Sequence, residues 1–164
     1  LLYVKGRFKS LLISSDGEKY SPEGIEEALV EKSPYIDQVM LYNNQCTTTT
    51  ALIVANKDAL RRYLKDNGMK AESEEGRKAA LQVLEAELAR FKKGGEFQGM
   101  FPERWLPSSF AVLAEPFTEQ NQMINSTMKM VRPKIEKAYR ERIDYMYTSE
   151  GKQTLNQQNM DAIF

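Results

Sequence analysis

The sequence predicts an α+β fold: a small mixed or antiparallel sheet with an N-terminal hairpin and several helices packed on it. Three observations predict it. Short β-branched or aromatic runs alternate with amphipathic stretches in the order ββαββααβα. Turn and helix-cap residues fall between those runs. The 164 residues are 41% hydrophobic and 28% charged, which suits one domain with a buried core, or a domain with a tail.

Each element has a local cause. Leu2-Tyr3-Val4 and the apolar run from Phe8 to Ser14 read as paired strands around Lys5-Gly6. Ser14-Ser15-Asp16-Gly17 is turn chemistry, with Gly17 free to take a positive φ. Ser21-Pro22-Glu23 opens a helix: Ser as cap, Pro at the first position, Glu at the positive end of the dipole. Ile25, Ala28 and Leu29 share its inner face, and Ser33-Pro34 stops it. Tyr35–Tyr42 and Thr47–Val54 are strands joined by Asn43-Asn44-Gln45. Asn56 caps a helix running to Asn67, and Gly68 ends it. Ser73 caps the longest helix, from Glu74 to Lys93, whose stripe of Leu81, Leu84, Leu88 and Phe91 is core packing. Lys92 and Lys93 then stand at its negative end. Ser109–Ala114 is a further strand. Pro133 starts a last long helix with Ile135, Tyr139, Arg142, Ile143 and Met146 on one side. Residues 1–147 read as one domain and 148–164 as a tail, either a short helix or frayed.

Composition narrows the function. Lys+Arg and Asp+Glu are both 23, and this balance argues against a dedicated nucleic-acid binder. With no histidine, the commonest general base and metal ligand are missing, and no metal site is predicted. The single Cys46 lies in a Thr-rich strand-like run and reads as a half-buried structural thiol. No apolar run approaches the ~20 residues of a membrane span. A cytoplasmic setting with at most peripheral membrane contact follows. The chain begins in an apolar segment without an initiator Met, as an excised fragment would. Phosphate-loop, zinc-protease, paired CxxC and GxSxG motifs are missing. Glu26 and Glu27 are adjacent carboxylates, but neighbouring helical positions point apart, and a solvated face is the reading they favour. By residue type alone, Lys129 is one surface lysine among many.

Two segments change that judgement. GRFKSLLISSDGEKYSPEGIE, residues 6–26, joins a Gly-Arg pair (Gly6-Arg7), a basic residue (Lys9), an apolar strand (Leu11-Leu12-Ile13), a turn (Asp16-Gly17) and a helix opening with Ile25-Glu26. NQMINSTMKMVRP, residues 121–133, carries Thr127, Lys129, Arg132 and Pro133. The first resembles the segment just after the interdomain hinge of adenylate-forming enzymes. The second resembles the NGLLTPTFKxKRP run of long-chain acyl-CoA synthetases, with Gln122 and Asn125 departing from the usual Gly and Thr. In that order, about a hundred residues apart, they identify the chain as similar to the small C-terminal domain of long-chain fatty acid–CoA ligases.

The resemblance implies a mobile lid on a larger enzyme, not active alone, whose partner is the missing N-terminal adenylation domain of the same protein. ATP with Mg2+, a fatty acid and CoA are then substrates of the full-length enzyme, and no cofactor is bound permanently by this domain. Lys129 becomes the lysine of acyl-adenylate formation, and Arg7 a contact to the nucleotide ribose region or, more plainly, a surface ion pair. Lys5 and Gly6 form the hinge, or an ordinary hairpin turn. Asp16 and Gly17 form the turn facing CoA, unless Gly17 serves only its own φ. Met123, Met128 and Met130 read as adaptable packing. Two alternatives stand beside this reading: a free-standing non-catalytic interaction module of the same fold, and an adenylating enzyme that loads a carrier protein.

Overall fold

The computed structural model describes residues 11–164. Its strands are β1 (Leu12–Ser14), β2 (Lys19–Tyr20), β3 (Ile36–Tyr42), β4 (Asn44–Cys46), β5 (Thr49–Ala55) and β6 (Pro107–Val112). Its helices are α1 (Glu23–Lys32), α2 (Lys57–Asp66), α3 (Glu74–Ala89), α4 (Arg132–Ala138), α5 (Arg140–Met146) and α6 (Gln157–Ala162). The strands form two mixed three-stranded sheets, in the orders β2-β1-β4 and β3-β5-β6. The predicted α+β class is the observed one.

The second sheet is the spine. β5 pairs antiparallel with β3 and parallel with β6, and all seven of its residues are buried. A strand covered on both faces needs an unbroken apolar or hydrogen-bonded run, which Thr49-Thr50-Ala51-Leu52-Ile53-Val54-Ala55 supplies. Alternate side chains feed two separate cores. Leu41, Ile53 and Phe110 pack with Leu29 of α1, Leu60 of α2 and Leu84 of α3. Met40, Leu52 and Ala111 pack on the other face with Ile135 of α4 and Ile143 of α5. Helices therefore cover both sides of the sheet.

Several elements differ from the sequence reading. The Asn43–Gln45 connection is not a free turn. Its last two residues begin β4, which pairs in parallel with β1, and Asn43 is buried, donating to Tyr20 Oη at 3.1 Å. Ser21 does not cap α1; its hydroxyl bonds Glu23 at 2.6 Å, and Pro22 occupies the cap position. Asn56 and Ser73 do cap α2 and α3, accepting from Ala59 N and Gly76 N. Helix α3 stops at Ala89, not Lys93, because the chain folds back so that Phe97 N donates to Arg90 O at 2.7 Å and Phe91 packs on Phe97. Lys92 and Lys93 thus lie past its last turn. The last long helix is two helices: at Tyr139 the backbone leaves helical dihedrals (φ −113°, ψ 25°), and both Ile135 and Ile143 reach full burial.

The tail is docked. Asn156 caps α6, and Met160 and Ile163 enter the first core. Asn159 is buried against the free edge of β6, accepting from Val112 N at 2.9 Å and donating to Phe110 O at 3.0 Å.

Candidate functional site

The segment around Lys129 is a tight hairpin. Ile124 and Met130 face each other in an antiparallel bridge, Asn125 N donates to Lys129 O (2.9 Å), and Val131 N donates to Met123 O (2.8 Å). The turn between them is organised by one side chain. Asn125 Oδ1 accepts from Thr127 N at 3.0 Å, Thr127 Oγ1 at 2.7 Å and Lys129 N at 3.0 Å. A short amide closing such a ring on nearby backbone is the usual work of Asn in turns. Asn125, a departure from the family motif, is therefore the keystone of this loop.

The hairpin's arms are anchored and its tip is free. Met123 and Ile124 are buried in the second core, and Met130 packs against it. Lys129 is exposed and forms no ion pair among the described residues. Packing accounts for Met123 and Met130 but not for Met128, which is 69% exposed at a φ of 65°. The turn pushes Met128 outward, so its predicted packing role fails.

Asp16 and Gly17 sit at the β1–β2 turn. Ser14 Oγ bonds Asp16, and Asp16 Oδ1 also accepts from Glu18 N at 3.1 Å. Those donors hold the Asp16 carboxyl below its ordinary range. Gly17 has φ 89°, and a Cβ built there meets nothing within 4 Å. Its own conformation, not a close neighbour in this chain, requires glycine. Leu12 and Tyr20, which flank the turn, belong to the first core, whereas the Lys129 hairpin rests on the second. The two candidate sites thus stand on different elements backed by opposite faces of the large sheet. Lys5, Gly6 and Arg7 lie outside the described residues.

Glu26 is not on a solvated face. It is 5% exposed, while Glu27 is exposed as predicted. Arg132 grips Glu26 through both guanidinium nitrogens, Nη1 to Oε2 at 2.9 Å and Nη2 to Oε1 more closely still. Glu26 Oε2 also accepts from Leu41 N, an edge N–H of β3, at 2.7 Å. Burial pushes the Glu26 carboxyl above its ordinary range, against the pull of Arg132 and the Leu41 N–H. The signal was available: Ile25-Glu26 and Arg132 are the motif residues of the two segments that carry the resemblance, and here they touch.

Gln38 is a second contact that the sequence did not expose. The β3–β5 register shifts between Ile36 and Gln38, two steps along β3 against one along β5. Such a bulge re-aims the side chains that follow it. Gln38 then pairs with Phe117 like a short strand, donating Nε2 to Phe117 O (3.0 Å) and accepting from Phe117 N (2.8 Å). Cys46 is half-buried, its thiol 3.6 Å from Asn44 O. Among the described residues no group of three His, Cys, Asp or Glu side chains could hold a metal ion. No helix among them is long and apolar enough to cross a membrane.

The described residues thus form an α+β domain with helices on both faces of its large sheet and a lysine on an ordered, exposed hairpin. No family model matches the chain. It is 25% identical over 148 residues to a chloroplastic long-chain-fatty-acid–[acyl-carrier-protein] ligase of Arabidopsis thaliana, covering 90% of this chain and 18% of that protein. It is 23% identical over 181 residues to a long-chain-fatty-acid–CoA ligase of Gallus gallus, covering 99% of this chain and 23% of the relative. The crystal structure of the adenylation domain of a Mycobacterium chelonae carboxylate reductase matches with a TM-score of 0.64 and 26% identity, over 84% of this chain and 19% of that one. The chain thus spans about a fifth of the length of the relatives it matches. Its homologues are fatty acid–CoA ligases and the adenylation domains of carboxylic acid reductases, and its structural neighbours are adenylation domains of the adenylate-forming superfamily.

Proposed function

We propose that this chain is the mobile C-terminal domain of an ATP-dependent long-chain fatty acid–CoA ligase, and that Lys129 serves its first half-reaction. In that reaction a carboxylate attacks the α-phosphate of ATP, giving an acyl adenylate and releasing pyrophosphate. Two anions must meet, and charge builds on the phosphoryl oxygens as they do. A cation placed between them cancels the repulsion and stabilises the transition state. Lysine suits a part that arrives and departs, being a compact charge on a long stem. The observation that carries the reading is the exposed Lys129 ammonium, without an ion-pair partner among the described residues, on a hairpin tip that Asn125 holds in one shape.

The separate placement of the Asp16–Gly17 turn supports a second working face for thioester formation. A rotation of the domain between steps would bring each face in turn to the larger domain, with Lys5 and Gly6 at the pivot and Arg7 beside it toward the nucleotide ribose. The long-chain class rests on the Lys129–Arg132–Pro133 motif and on the names of the relatives.

The test is Lys129→Ala in the parent enzyme. Acyl-adenylate formation, followed by pyrophosphate exchange, is expected to fall ~10²–10³-fold. Thioester formation from supplied acyl adenylate should persist, and equal loss of both halves refutes the role. A second reading, transfer to a carrier protein, is favoured by the acyl-carrier-protein ligase among the relatives. Offering CoA and a holo-carrier protein in competition to the adenylate-loaded enzyme separates the two by which thiol is acylated.

A further inference from the structure

Residues 117–132 form one excursion from the sheet, with Lys129 near its far end. Both ends of that excursion are tied to the same strand. At the start, the Gln38 amide makes two hydrogen bonds with the Phe117 backbone (3.0 and 2.8 Å). At the end, Arg132 is held by Glu26, and Glu26 is itself held by Leu41 N. Gln38 and Leu41 both belong to β3, three residues apart. The Asn125 ring fixes the shape of the hairpin, but its bonds lie within the loop and cannot set how the loop is aimed. That must come from contacts between the loop and the sheet. Apolar contacts of Met123 and Ile124 are non-directional. The two tethers are directional: a planar amide pair and a guanidinium–carboxylate fork.

We propose that Gln38, Glu26 and Arg132 are positioning residues that aim Lys129 through a two-point tether to strand β3. This rests on the reading of Lys129 given above. None of the three needs to touch substrate. They act by limiting the arc through which the ammonium swings, and a catalytic group displaced by about 1 Å loses on the order of 10²-fold in rate.

The neutral tether gives the cleaner probe, because Gln38→Leu leaves no buried charge. The ionic tether is probed by the double variant Glu26→Gln/Arg132→Met, which removes the pair as a unit. Both are made in the parent enzyme beside Lys129→Ala and assayed well below the unfolding midpoint. Pyrophosphate exchange is expected to fall at least tenfold in each. Thioester formation from supplied acyl adenylate should stay within twofold, a split that general loss of folded protein would not produce. In the 164-residue chain, amide 15N relaxation of residues 125–130 should show added fast motion in both variants. If Lys129→Ala abolishes exchange while both tether variants keep it within twofold, the tether has no positioning role and the lysine reading survives. If Lys129→Ala itself retains exchange, the lysine reading falls and the tether's purpose with it. Unchanged relaxation of the loop in both variants also overturns the proposal.

Discussion

The large sheet has two free edges, and the protein covers them in different ways. At β3, the carboxylate of Glu26 accepts the Leu41 N–H and is backed by Arg132. At β6, the amide of Asn159 accepts the Val112 N–H, donates to Phe110 O and Thr154 O, and is backed by Arg142 at 2.9 Å. An unpaired edge N–H is costly inside a protein and sticky outside it, so each edge needs a partner. One edge has a charged partner and the other a neutral one. The Asn159 amide is satisfied at every lone pair and hydrogen. The Glu26 clasp costs desolvation of two ions, and it stands three residues from Lys129. The edge that bears the charge is the edge that adjoins the proposed chemistry.

The largest effect should come from breaking the charged clasp on one side. Arg132→Met leaves the Glu26 carboxylate buried without its counter-ion, and loss of one partner of a buried pair typically costs about 3–5 kcal/mol. Urea midpoints at neutral pH would show it. Adding Glu26→Gln to the same chain should recover most of the loss, because the penalty is the stranded charge more than the missing bond. The single variant should also become steeply pH-dependent. Without Arg132 the folded-state pKa of Glu26 rises further above the ordinary carboxylate value. The folded protein then binds a proton that the unfolded chain has already released. Stability therefore falls as pH rises through the folded pKa and is restored at acid pH.

The neutral clasp should break more gently and without a pH signature. Asn159→Leu deprives Val112 N–H, Phe110 O and Thr154 O of their partner. Each buried group left unpaired costs about 1–3 kcal/mol, less where the loop of Thr154 relaxes toward water. A similar loss of stability at pH 5 and pH 8, measured by denaturant unfolding, would fit an uncharged partner. A marked slope would mean that a titrating carboxylate nearby, and not the uncharged amide, carries the loss.

Much of this was legible in the sequence, and the part that was not has a common cause. Caps at Asn56 and Ser73, the apolar stripe of α3 and the β5 run are local patterns, each fixed by residues within a few positions. Lys129 was found through a motif of contiguous residues. The β4 pairing, the Gln38–Phe117 amide pair and the Glu26–Arg132 fork join residues 31 (Ile13 to Asn44) to 106 positions apart, or depend on a register shift that no period reveals. Glu26 was misjudged because helical periodicity speaks only of the helix. It placed Glu26 beside Glu27 and could not see that a strand edge and an arginine from the second layer meet one of them and not the other.

The smallest effect is the most informative about that edge. Glu26→Gln turns the charged clasp into an amide clasp of the Asn159 kind. Gln keeps an acceptor for Leu41 N–H, and the Glu23 carboxylate, 4.0 Å from Arg132, remains to offset the guanidinium. The cost at neutral pH should be about 1 kcal/mol, that of weakening charge-assisted hydrogen bonds while sparing the desolvation of a carboxylate. The sign of its pH dependence follows from Glu26. Because burial raises its folded pKa, wild-type stability from this group is fully present below the unfolded value and declines as pH rises through the folded one. The variant has nothing to titrate there. Wild type should thus exceed Glu26→Gln by more at pH 4 than at pH 7. A gap that instead widened toward neutral pH would show Arg132 outweighing burial, and the β3 clasp would then be a net stabiliser in its charged form.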